Sequence, residues 1–384
     1  MFRQWLIAVI LIGSPIAFAA PPVIRTLRVP ENGIQPQVAV DSVGTAHLIF
    51  YKGEPAHGDL FYCRSTDSGS SFSKPIPVNS QAGSAIAIGT IRGAQLAIGK
   101  VNRVHVAWNG SDVAKPKGPS DAAPMLYTRL NDAGDRFEPQ RNAIAAHYGL
   151  DGGGSIAADA DGHVYIAWHA PEKKGQNESG RRVWIARSID SGKSFTPETA
   201  ASIEATGVCG CCGLKILADP RGGVFVLYRS ATEMVHRDMY LLHYDRDLLF
   251  CTSAKIAPMT IGQCVMSSAA MVNSAAGPLA AWETQSQIFW GKLDPEHAKI
   301  LEMISAPGPT RGRKHPALAT NAAGDVLLVW TEGTSWNKGG SIAWQIYDAD
   351  GAEVRGESDK KAGLPVWSLP AAFANPDGGF TIIY

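Results

Sequence analysis

Gly162-His163-Val164-Tyr165-Ile166-Ala167-Trp168 decides the fold of this chain, because its pattern is written seven times. A turn residue is followed by alternating apolar side chains and then by an aromatic. The closing aromatics are Phe50/Tyr51, Trp108, Trp168, Tyr228, Trp282, Trp330 and Tyr384, and the turns before them carry Gly44, Asn102, Gly162, Gly223, Gly277, Gly324 and Gly379. Recurrence about every 50 residues, with four strand-like segments per period, marks a propeller in which each unit is one small twisted sheet. Val, Ile and aromatic residues alternating with small ones suit a sheet packed on both faces by neighbouring blades. The chain therefore reads as an all-β propeller of seven blades by repeat count, with six as the alternative.

Lettering the strands A to D from the central channel outward, the third unit places A at 156–158, B at 164–168, C at 183–188 and D after Phe195. The sixth places them at 317–320, 326–330, 342–347 and 352–355. The seventh has an A/B pair at 371–374 and 380–384, and the chain ends where C should begin. A strand-like segment at 23–29 is expected to pair with this unit and close the ring, leaving no half-finished edge.

Arg3, an apolar run at 6–12, Pro15 and the small-x-small site Ala17-Phe18-Ala19 read as a secretory signal over residues 1–19, since the run is too short to span a bilayer. Residues 20–384 are expected to form one propeller domain, secreted or periplasmic and without membrane insertion after cleavage. Lys plus Arg and Asp plus Glu number 35 each. That balance, with no basic stripe, argues against a nucleic-acid partner.

Ser65-Thr66-Asp67-Ser68-Gly69-Ser70-Ser71-Phe72 and Ser188-Ile189-Asp190-Ser191-Gly192-Lys193-Ser194-Phe195 share the form S-x-D-x-G-x-S-F at the end of strand C. A tight hairpin needs this set: the carboxylate accepts local N–H groups, Gly takes positive φ, and the aromatic folds back into the blade. Weaker copies stand at Asp132/Gly134/Phe137 and at Asp245/Phe250. These boxes resemble the Asp-box (BNR) repeats of the sialidase superfamily across nearly the whole chain. The resemblance implies a sialidase-like β-propeller in which Asp67, Asp190 and Asp132 are structural, on the face away from the active site. It also implies an exo-sialidase-like glycosidase with three arginines on a substrate carboxylate, a Tyr activated by Glu, and an Asp acid/base. Arg28-Val29-Pro30 is the nearest approach to the family's Arg-Ile-Pro element, and the Tyr and Asp map onto no position.

In a propeller the loops before strand A and after strand B open on one face, around the channel. Lys52, Asn109, His169, Arg229, Glu283 and Glu332 follow the closing aromatics there. Arg92, Asp151, the Cys209 to Gly213 turn, Cys264, Met266, Arg313 and His315 lie in the loops before strand A. One reading has Arg92, Arg229 and Arg313 converge on an anionic group of a carbohydrate or other small ligand, helped by Asp151, His169 and His315. Glu283 and Glu332 are then the candidate acid/base pair. The alternative has arginine and glutamate pair with each other to satisfy a polar channel mouth. Trp336, in the loop 333–340, is placed to stack on a sugar ring or to cap its blade.

A second reading centres on sulfur. Cys209, Cys211, Cys212, Cys264 and Met266 occupy neighbouring loops, and soft ligands suit copper or zinc, with His169, His236 or His315 completing a site. No cofactor is required by the first reading. In an oxidising compartment a disulfide from Cys264 to one cysteine of the cluster, stapling two blades, is the simpler expectation. Adjacent cysteines in extended chain point apart, so a common site for Cys211 and Cys212 demands a distorted turn, which Gly207, Gly210 and Gly213 permit. The Cys-Gly-Cys-Cys element, Tyr228-Arg229 and His236-Arg237-Asp238 resemble a group of exported bacterial sialidase-like proteins of unestablished activity. A non-enzymatic scaffold carrying such a sulfur site is the alternative to a carbohydrate-binding propeller.

Overall fold

The computed structural model describes residues 21–202, 204–310, 312–354 and 358–384. The segment read as a secretory signal lies outside them. Six four-stranded sheets and one three-stranded sheet follow one another along the chain, each a simple antiparallel meander apart from the last. Seven blades are therefore present, and the six-blade alternative is set aside.

The third blade is built from Ser155–Ala158, Val164–Pro171, Arg181–Ser188 and Thr199–Ala200, as its alternation predicts. In the sixth, Val326–Glu332 and Gly340–Tyr347 match expectation, strand A is Arg313–Thr320 and so begins four residues before the expected 317, taking in Arg313 and His315 that were expected in the loop before it, and the outer strand is Asp359–Leu364 and not 352–355. The described part of the earlier segment touches strand C through Val354 N–H donating to Ile346 O at 2.9 Å, Gln345 Nε2 donating to Val354 O at 3.1 Å and a bridge between Tyr347 and Glu353. A turn from Asp348, whose Oδ1 accepts from Ala352 N–H, leads into that segment, and its last residue, 355, lies outside the described residues.

The seventh blade holds Ala371–Ala374 and Phe380–Ile383, and its third strand is Ile24–Leu27 from the other end of the chain. The expected closure is present, and it is parallel: Ile24 opposes Phe380 and Leu27 opposes Ile383. A parallel pair normally needs a long crossover, and joining two chain termini removes that requirement. Among the described residues, seven apolar clusters fill the seams, one per pair of adjacent blades. Trp168 and Trp282 are fully buried in two of them, where truncation to Ala costs about 3–5 kcal/mol.

The two full Asp boxes fold alike. Asp67 Oδ1 accepts from Ser71 N–H at 2.9 Å and Ser65 Oγ at 2.7 Å, and Asp190 repeats both distances with Ser194 and Ser188. Gly192 takes φ 76° against the Tyr127 hydroxyl, where a Cβ would sit 1.8 Å from the oxygen. The weaker copies differ. Asn131, not Asp132, accepts the turn amide of Asp135, and Asp132 pairs instead with Arg103. Asp245 does accept from Leu249 N–H, yet Phe250 is exposed and does not fold back.

Candidate functional site at the channel mouth

All seven blades contribute residues in or just before strand A to the wall of a channel mouth of about 120 Å³, among them Gln37, Gln95, Gly154, Lys215, Ser268, Pro316 and Ala371. Lys215 Nζ donates to Gln95 Oε1 at 2.9 Å, and burial lowers this lysine to about 8. Among the described residues no carboxylate lies within 4.0 Å of it.

The three arginines expected to converge on an anion instead occupy three different seams, each turned onto the protein. Arg92 reaches Asp151 at 2.8 Å between the second and third blades. Arg229 reaches Glu283 at 3.0 Å between the fourth and fifth, with both side chains buried. Arg313 takes Glu332 at 3.1 Å and Gln287 at 2.9 Å between the sixth and fifth. The self-paired alternative describes this geometry, and the reason is that a buried guanidinium needs its donors satisfied. Asn109 does the same neutral work, donating to Gly152 O and accepting from Gly154 N–H. Arg28 packs over the Tyr384 ring and donates to Gly363 O, apart from the mouth.

The candidate acid/base pair is likewise committed. Burial pushes the Glu283 carboxyl up against the pull of Arg229, and Ser286 N–H donates to its other oxygen at 2.6 Å. For Glu332 burial works upward, but Lys360, Trp330 and Arg313 together hold it below its usual range, so it is a poor proton donor. His169 and His315 are buried and kept neutral, each held to about 3 by burial and then by Arg181 or Lys314 respectively.

Beside the channel a smaller pocket is lined by Thr90, Met266, Lys314, His315, Trp336, Lys338 and Trp367, with no carboxylate among its lining residues. Four of these have left-handed backbones: Thr90 at φ 63°, Met266 at 50°, His315 at 50° and Trp367 at 56°. Non-glycine residues persist in that region only where their surroundings over-determine them, and such positions gather at ligand sites. Gln35 supplies part of the constraint, donating from Nε2 to both Ala87 O and Trp367 O. Trp336 is half exposed, and its ring lies over Gly89 of the second blade, where a Cβ would meet it at 3.1 Å. Sequence reasoning singled out Met266, His315 and Trp336 but missed Thr90, Lys314, Lys338 and Trp367. Lys314 lay within the stretch 313–316 and Lys338 within the loop 333–340 that the sequence marked, whereas Thr90 and Trp367 offered no signal.

The cysteine turn sits on the same face. All six cysteines are free thiols, so the expected Cys264 disulfide is not formed. Cys209 Sγ lies 3.3 Å from Cys211 Sγ and 3.2 Å from Cys212 Sγ. The turn closes through Cys212 N–H to Cys209 O at 3.3 Å, with Gly207 at φ 60°. This is the distortion that adjacent cysteines required. Among the described residues no histidine joins the three sulfurs: His236 turns to Thr260 and His315 to Ser268.

No family model and no curated protein sequence matches the chain. Among solved structures, an α-L-arabinanase of Penicillium chrysogenum complexed with arabinobiose is similar at TM-score 0.53 and 15% identity, over 85% of this chain and 96% of that one. A protein of unknown function from Dyadobacter fermentans gives TM-score 0.55 and 13% identity over 89% and 97%. The NanB sialidase of Streptococcus pneumoniae gives 0.53 and 9% over 88% and 70%. These likenesses show the fold, which is that of the sialidase-like propellers, and two of the three proteins bear the names of glycoside-processing enzymes.

Proposed function

We propose that this protein is a carbohydrate-binding propeller that takes an acidic sugar in the pocket beside its channel mouth, without cleaving it. The observation that carries the reading is the half-exposed Trp336 standing over a pocket whose rim is held in four left-handed, non-glycine conformations. An indole face covers the apolar face of a pyranose or furanose ring, and a pre-formed rim spares the ligand the cost of ordering it. Lys314 and Lys338 select for acid: both line the pocket, and among the described residues neither has an ion-pair partner. Neighbouring propellers named as an arabinanase complexed with arabinobiose and as a sialidase support sugar as the ligand class.

Binding is favoured over hydrolysis because glycoside cleavage ordinarily needs two carboxyl groups flanking the bond. Glu283 and Glu332 line no part of this pocket, and each is held by arginine. A glycan array followed by calorimetry on the best acidic oligosaccharide tests the reading. Trp336→Ala is expected to weaken binding about tenfold or more, in line with the loss of one aromatic contact. Lys314→Gln with Lys338→Gln should weaken acidic but not neutral sugars. An unchanged array profile in both variants sinks it.

A further inference from the structure

The Cys209-Gly210-Cys211-Cys212 turn is too heavily braced for a loop that merely connects blades. Cys209 N–H donates to Arg229 O at 2.9 Å, Gly210 N–H to Glu178 Oε1 at 2.5 Å, and Gly213 N–H to Ser267 O at 3.1 Å. Gly210 is caught between two carboxylates, so a Cβ there would lie 2.4 Å from Asp151 Oδ2 and 2.9 Å from Glu178 Oε1. One strand end, at Arg229, and two other segments, at Glu178 and Ser267, thus hold one short turn in a single shape. That shape turns three thiols onto each other, with all three sulfurs within 4.8 Å of one another.

We infer that Cys209, Cys211 and Cys212 form a binding site for a thiophilic d10 cation, Zn(II) or Cu(I), with the exposed Cys264 of the adjacent loop, whose sulfur stands outside the three-sulfur cluster, turning in as the fourth ligand. Soft thiolates select these ions over hard ones. Tetrahedral ligands at about 2.3 Å from zinc stand roughly 3.8 Å apart. The observed separations of 3.2 and 3.3 Å therefore need to open only slightly, in a turn whose backbone is already fixed.

The surroundings suit a cluster that gains negative charge when it loses protons. Arg229 and Arg237, both buried, stand near enough for their charge to act on the cluster, Arg229 on Cys212 and Arg237 on Cys209 and Cys211. Nearby cations are the usual means of making a thiolate available. Cys264 is exposed on the open side. Cys209 and Cys212 are sealed beneath it with Met259 and Val265. An ion would enter from the Cys264 side, displacing thiol protons to solvent.

This site stands independently of the sugar pocket, although Met266 lines that pocket and its backbone amide faces Cys211. The test uses the full-length reduced protein under anaerobic conditions, titrated with Zn(II) against a chromophoric chelator and, separately, with Cu(I) against a Cu(I)-specific chelator. One equivalent of one ion is expected to bind and to protect the cluster thiols from alkylation, and the two arms decide which ion it is. Cys212→Ser should abolish tight binding. Because that buried substitution also risks the fold, Cys264→Ser is the second variant: it is expected to keep the native circular dichroism while lowering affinity about tenfold or more, the loss of one of four ligands. Binding of both ions no tighter than to a Cys209→Ser/Cys211→Ser/Cys212→Ser protein overturns the inference, as does unaltered alkylation in the presence of either ion.

Discussion

Arg229 and Glu283, which stand at equivalent positions near the ends of the second strands in two adjacent blades, meet across the seam at 3.0 Å with both side chains almost wholly buried. The repeat places a polar residue at the same station in neighbouring blades, and the seam brings two of those stations together. What the sequence presents as a ring of ligand-facing groups is here a fastening between blades.

This pair gives the first prediction. Glu283→Gln leaves the Arg229 guanidinium buried without its counter-charge and is expected to destabilise the fold by about 3–5 kcal/mol, whereas replacing both residues by Met is far milder. Urea unfolding of the two variants checks it. If Glu283→Gln matches the wild type in stability, the pair is not the fastener described here.

The Asp boxes set an acid limit. Hydrogen bonds led by Ser71 hold Asp67 to about 2, and at Asp190 the Ser194 and Ser188 donors outweigh the opposing effect of burial to reach about 2 as well. Both folded-state values lie below those of the unfolded chain. Their stabilisation is therefore complete above about pH 4 and is lost as pH falls toward about 2. Asp67→Asn/Asp190→Asn should lose much of this acid dependence in thermal melts while leaving sugar binding intact.

Lys215 works in the opposite direction. Burial lowers it to about 8 in the folded protein, below roughly 10.4 in the unfolded chain, so between those values the unfolded state binds more protons and stability rises with pH. Lys215→Met is expected to melt higher than wild type near neutral pH and to lack this rise. Parallel melting curves between about pH 7 and 10 would contradict the assignment.

Closure of the ring is a third structural commitment. Val29 N–H donates to Tyr384 O at 3.2 Å and Tyr384 N–H to Leu27 O at 3.0 Å, extending the parallel pair to the last residue. Removing residues 21–29 bares the Phe380–Ile383 edge, so light scattering should report self-association of the truncated chain. A truncated chain that stays monomeric and melts like wild type argues against closure by this strand.

The blades were legible because strand B carries both signals at once, period-two alternation and a terminal aromatic that is buried in a seam. Outer strands are not packed on both sides and lack that signature, which is why Asp359–Leu364 was displaced from the expected 352–355. Asn131 replaced Asp132 at its turn because either residue can accept the amide, and only the contact with Arg103 decides between them. The mouth residues were legible as positions but not as partners. Arg92, Arg229 and Arg313 carry the same charge in sequence, and their acids come from residues up to 59 places away along the chain. Nor does a sequence show that Thr90 and Trp367 take left-handed backbones, since neither is glycine.

The central claim is that ligand binds beside the channel mouth, at Trp336. A crystal structure of the protein soaked with the acidic oligosaccharide selected by the array tests it directly. Sugar is expected to stack on Trp336, with its acid group reaching Lys314 or Lys338 and the Glu283 and Glu332 carboxylates still held by Arg229 and Arg313. Sugar bound on the Asp-box face, or in the channel mouth against arginines released from their carboxylates, would contradict it.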